Sequence, residues 1–113
     1  MAVFNGMFPI LSGKEDAARA FAAETIGARK KDFEALQAQS GVTRETWAMQ
    51  DTPMGSFMLV WFEGNVEKAF GDLATAASDF ATWFRGQVQE ITGVDLAAPM
   101  EGPLPDVVVD WTA

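Results

Sequence analysis

The chain has 113 residues, a length that suits one domain and is too short for two ordinary ones. With 49% hydrophobic and 21% charged residues, it has the composition of a folded globular chain, not of a disordered one. Eight Lys and Arg stand against 16 Asp and Glu, a formal charge of −8 that argues against nucleic acid or an anionic membrane surface as partner.

Residues 2–10 carry Val3, Phe4, Met7, Phe8 and Ile10 and predict a first strand, with Pro9 near its end. Ser12 and Glu15 then form an S-x-x-E pattern, the signature of a capping box at a helix start. Residues 15–39 predict one helix, with Ala18, Phe21, Ala22, Thr25, Phe33 and Leu36 along one side. Gly27 lies in its middle and marks a bend or a close contact. Ser40 and Gly41 supply the stop.

Residues 43–51 and 56–63 predict two strands joined through Thr52, Pro53, Met54 and Gly55 as a hairpin. Asn65 offers a cap for a helix over 66–77, and Ser78 offers another. Phe80, Phe84, Val88 and Ile91 then recur on one helix face that Gly93 closes. After a loop holding Pro99, Pro103 and Pro105, residues 107–111 predict a last strand. The order is β-α-β-β-α-β, a ferredoxin-like α+β domain over 1–113 with a four-stranded antiparallel sheet and helices on one face.

Such a sheet, wet on one face, alternates apolar with polar side chains. Residues 56–63 do not: Phe57, Leu59 and Trp61 point one way, Met58, Val60 and Phe62 the other. Val3 and Met7 likewise oppose Phe4 and Phe8. An open second face of this kind needs a cover, and a second copy of the same sheet is the simplest one. A homodimer through the sheet face is therefore expected.

This layout resembles the dimeric α+β barrel superfamily, which includes antibiotic-biosynthesis monooxygenase-like, EthD-like and stress-responsive A/B-barrel proteins. The run Trp47 to Gly55, the run Trp83 to Val88 and the run Gly93 to Leu96 are similar to a bacterial branch of it. The resemblance implies paired sheets and a small hydrophobic ligand held between sheet and helices. Several members use a pocket histidine or bind haem through one, and this chain has no histidine.

Cysteine and tyrosine are absent as well. Their loss removes zinc sites of the usual kind, Ser-His-Asp triads, thiolate nucleophiles and iron–sulfur clusters. No phosphate-cradling glycine loop and no D-x-D-x-D-G stretch occurs, so neither cofactor nor metal is expected. The longest apolar run, Phe57 to Phe62, has six residues against the roughly 20 needed to cross a bilayer. The first residues lack a basic region and a cleavage site, which leaves a cytoplasmic location as the expectation.

The candidate ligand-binding residues are Asn5, Arg29, Trp47, Gln50, Trp61 and Trp83. The tryptophans would line an aromatic pocket with their indole N–H groups orienting a ligand, although large aromatics mostly fill cores. Trp83, beside the Phe80–Phe84 stripe, is placed to rim a cavity. Asn5, Thr46 and Gln50 are uncharged polar residues within strands, suited to polar ligand contacts or to cross-strand bonds. Arg29 falls on the helix seam and could reach a carboxylate, and Arg85 has the same two readings, ligand contact or solvated face. Glu45, Asp51 and Glu63 are the proton acceptors near the sheet. The loop 97–105 is read as a pocket lid or a stiff connector. Three functions compete: a binder of a small hydrophobic molecule, a cofactor-independent oxygenase or isomerase acting on one, and a non-catalytic homodimer or interaction module. A different protein could also cover the second face.

Overall fold

The first three predicted strands form as β1 (Val3–Ile10), β2 (Arg44–Thr52) and β3 (Gly55–Glu63). A computed structural model describes residues 2–99 and 102–113. Between the strands lie α1 (Glu15–Thr25) and α2 (Lys30–Ser40), and after them α3 (Val66–Thr75) and α4 (Asp79–Thr92). The three strands form one antiparallel sheet in the order β1-β3-β2. The doubly apolar strand is thus the central one, paired Phe4 with Phe62, Phe8 with Met58, and Trp47 with Val60.

Strand parity separates the two faces. Phe4, Phe8, Ile10, Met58 and Phe62 turn inward, where Ala18, Phe21, Phe80, Phe84 and Ile91 of the helices meet them. Phe70 of α3 closes the far end, 4.9 Å from Phe4 between ring centroids. On the outer face Met7, Leu59 and Ala48 form one row across the sheet, and Asn5, Trp61 and Thr46 the next. Met7 is 65% exposed there.

Local signals place most boundaries. Asn65 Oδ1 accepts from the Lys68 amide at 3.1 Å and starts α3; Ser78 Oγ accepts from the Ala81 amide at 3.1 Å and starts α4. Gly41 and Gly93 end α2 and α4 in the left-handed conformation that glycine adopts without strain. The hairpin turn is tied by Thr52, whose hydroxyl donates to the Gly55 carbonyl at 2.8 Å. Arg85 Nη1 donates to the carbonyls of Leu73 and Ala76, at 2.8 and 2.9 Å, and so satisfies the loose end of α3.

Three expectations are corrected. The single helix over 15–39 is two helices, because the chain turns at residues 26–29. A Cβ on Gly27 would lie 2.6 Å from the Ala23 carbonyl oxygen, so this turn requires glycine. The capping box is not formed: Lys14 occupies the N-cap of α1 without a side-chain cap, its carbonyl accepting from the Ala18 amide at 2.9 Å. Gly13, at φ +83°, turns the chain after Ser12 and resets the start.

The largest correction concerns the sheet. It has three strands and four helices, not the four-stranded ferredoxin-like β-α-β-β-α-β sheet. Residues 107–111 pair with no strand among the described residues, and residues 102–113 are exposed throughout, Val108 at 86% and Trp111 at 79%. A fourth strand would need the free edge of β1, where Pro9 has no N–H to donate. The loop 97–105 falls partly outside the described residues.

Candidate functional site

Between the inner sheet face and the helices lies a cavity of about 110 Å³. Its walls are apolar and rich in aromatic rings, with Phe8, Phe21, Phe33, Trp47, Met58 and Phe84 prominent among them. Each wall residue follows from a period already described: parity two for Phe8, Trp47 and Met58, helical spacing for Phe21, Phe33 and Phe84. Trp47 meets three of these rings from the sheet side, with centroids 5.3 Å from Phe21, 5.9 Å from Phe84 and 6.2 Å from Phe33.

Four polar side chains reach the lining: Gln37, Ser40, Glu45 and Thr92. Two are committed elsewhere. Ser40 Oγ donates to Asp72 Oδ2 at 3.1 Å, and Thr92 Oγ1 donates to the Val88 carbonyl at 2.6 Å. Lys68 also donates to Asp72 at 2.8 Å, holding that carboxyl below the usual range. Gln37 and Glu45 face each other across the polar end. Gln37 Nε2 donates to Glu45 Oε1 at 2.9 Å, and the Trp47 indole N–H donates to Glu45 Oε2 at 2.5 Å.

Glu45 is the one ionisable residue lining the cavity, and no cation pairs with it among the described residues. Burial raises its carboxyl above the ordinary value, against the two hydrogen bonds from Trp47 and Gln37 that pull it back. The folded protein therefore holds this proton more tightly than the unfolded chain, where a glutamate titrates near 4.5. The associated stability is full below that value and is lost as pH rises through the folded pKa. As pH is raised from below 4.5 toward neutrality, urea melts should thus show wild type losing stability relative to Glu45→Gln. Parallel stability curves over that interval would mean that the carboxyl titrates as if exposed.

The sequence candidates separate into three places. Trp47 lines the cavity. Asn5, Gln50 and Trp61 share the outer sheet face, where Gln50 Nε2 donates to the Asp51 carbonyl at 2.9 Å and the Arg44 guanidinium stands 5.8 Å from the Trp61 ring centroid. Arg29 and Trp83 meet on the helical side outside the cavity lining. The Arg29 guanidinium lies 4.2 Å above the Trp83 ring and its Nε donates to Glu24 at 2.6 Å. Asp51 accepts from Ser56 Oγ at 2.7 Å at the hairpin end, remote from Glu45 along β2.

Gln37 is the site residue that sequence reasoning passes over. Its signal is its place four residues after Phe33, one helical turn along the same face. Parity sets Glu45 and Asp51 on the strand face of Trp47 and Met49 and leaves Glu63 on the other; Glu45 differs from Asp51 in lying beside Trp47, away from the hairpin end. Among the described residues no cluster of carboxylates is arranged to hold a metal ion, and no helix is long and apolar enough to cross a membrane. No protein-family model matches this chain, and no match is found among curated proteins or solved structures.

Proposed function

We propose that this protein binds a small hydrophobic molecule in the cavity between sheet and helices. The observation that carries the reading is the aromatic enclosure itself, with one hydrogen-bonded polar group at one end. Native cores leave few voids larger than a water molecule. An apolar cavity of about 110 Å³ approaches the size of engineered cavities that accept a benzene ring. Most ligand sites share this plan of apolar walls and few polar anchors.

Pairing of two copies through the outer sheet face belongs to the same proposal, as the resemblance to the dimeric α+β barrel superfamily implies. Met7 and Leu59 are exposed there beside Phe57 and Trp61. An exposed apolar face of this extent is a liability for a lone chain. The catalytic alternative, an oxygenase or isomerase without cofactor, draws on Glu45, since a carboxyl with a raised pKa in an apolar site is suited to act as a base.

Native mass spectrometry of freshly purified protein, set beside the denatured mass, tests binding and pairing together. The expected result is a dimer that carries extra small-molecule mass, lost on denaturation. A bare monomer would overturn both parts, and a bare dimer would overturn retention of a ligand while keeping the pairing.

A further inference from the structure

We propose that the cavity selects a small organic cation, an ammonium on an apolar body about the size of one ring, with Glu45 as its counter-ion. This rests on the cavity being a ligand site. It adds the chemical class of the ligand.

The polar end is built to receive positive charge. Both oxygens of Glu45 already accept one N–H each, from Gln37 and from Trp47. Each oxygen keeps a further lone pair, and no proton is needed to satisfy either donor. An indole N–H can only donate, so the pair of donors fits an ionised carboxylate better than a neutral acid. Yet no cation of the described chain stands beside it. A partly buried charge with no opposite charge beside it is costly, and a ligand ammonium supplies that counter-charge.

The walls act in the same sense. Phe33, Trp47 and Phe84 approach one another with centroid separations of 5.9 to 6.5 Å around this region. Aromatic faces carry negative potential and attract an ammonium within about 6 Å. The chain's charge of −8 draws cations toward it and repels anions. A carboxylate ligand would meet Glu45 as a like charge and is excluded. Volume sets the limit: about 110 Å³, somewhat below the roughly 150 Å³ of an engineered cavity that takes benzene, admits one ring at most and not a fused-ring compound.

Titration calorimetry with benzylamine, benzyl alcohol and toluene separates the possibilities on the wild-type protein. The three probes share a ring and differ in the polar group. Benzylamine should bind at least about ten-fold more tightly than either neutral probe, the factor expected of a charge-assisted hydrogen bond. Glu45→Gln, checked for folding by circular dichroism, should abolish that preference while changing toluene affinity by less than about three-fold. Glu45→Asp, which keeps the charge but withdraws it from the ring walls, should retain part of it. Neutral probes that bind as tightly as benzylamine would overturn the cation assignment and leave the cavity reading standing. Survival of the preference in Glu45→Gln would overturn that assignment equally. Failure of all three probes to bind would overturn the cavity reading and this inference with it.

Discussion

Replacing Trp47 by alanine is expected to lower the unfolding free energy by about 3 kcal/mol, the low end of the range for deleting a large core aromatic, since the ring is partly buried. The ring contacts Phe21, Phe33 and Phe84, one residue from each of three helices, so its loss leaves the helices without their common support on β2. The void created would join the existing cavity, where the surrounding side chains have little to collapse upon. Glu45 would also lose the indole donor and keep only Gln37. Trp47→Phe separates the two contributions, because it keeps a ring and removes the N–H. It should cost about 1–3 kcal/mol, the range for leaving a buried charged acceptor short of a bond. Urea unfolding followed by far-ultraviolet circular dichroism gives both values. A loss below about 1 kcal/mol for the alanine variant would mean that the ring is not what joins sheet to helices.

Gly64→Ala should be the most damaging glycine substitution in the chain. A Cβ there would stand 2.4 Å from the Gly41 carbonyl oxygen and 2.9 Å from Val42 Cα. Both are backbone atoms, so no side chain can swing aside to make room. The residue sits at φ +156°, which disfavours any L side chain. This joint is also where several elements meet: the Gly64 amide donates to the Ala2 carbonyl at 3.0 Å, and the Thr43 amide donates to the Glu63 carbonyl at 2.9 Å. The combined strain should cost roughly 2–4 kcal/mol. Gly71→Ala is the matched control. It lies inside α3 with open space around it, and alanine there should stabilise by about 0.5–1 kcal/mol. Equal melting temperatures for the two variants would show that the close approach at Gly64 is not maintained in solution.

What could be read in the sequence is what neighbouring residues decide among themselves. Asn65, Ser78, Gly41 and Gly93 act on atoms within a few residues, and each cap forms as its chemistry dictates. Gly27 announced its bend for the same reason. Ser12 failed because the adjacent Gly13 turns the backbone before the helix starts, a competition that the S-x-x-E pattern does not encode. The missing fourth strand is a non-local failure. Residues 107–111 have every local feature of a strand, but pairing depends on the edge they would meet, and Pro9 on that edge was the warning in plain view.

The candidate site divides in the same way. Trp47 could be singled out by residue type and Glu45 by sharing its strand parity at the next position along that face, with Asp51 on the same face but at the hairpin end. The meeting of Gln37 with Glu45 depends on the rotation of α2 against β2, which no single segment contains. Trp61 and Trp83, alike in type to Trp47, went to other places because the opposite strand face and the helix flank received them.

The double apolar character of β3 has a consequence for how the chain finds its alignment. Sliding β3 by one residue would exchange Met58, Val60 and Phe62 for Phe57, Leu59 and Trp61, one greasy row for another. Hydrophobic burial, which fixes alignment in most half-wet sheets, is nearly indifferent to that choice here. Fidelity must then come from the ends. At one end Thr52 clamps the hairpin turn through its hydroxyl. At the other, Gly64 alone fits against Gly41 and Val42, and a slipped strand would present Glu63 or Asn65 in its place. Two small joints of little buried area thus decide which of two equally oily rows becomes the interior.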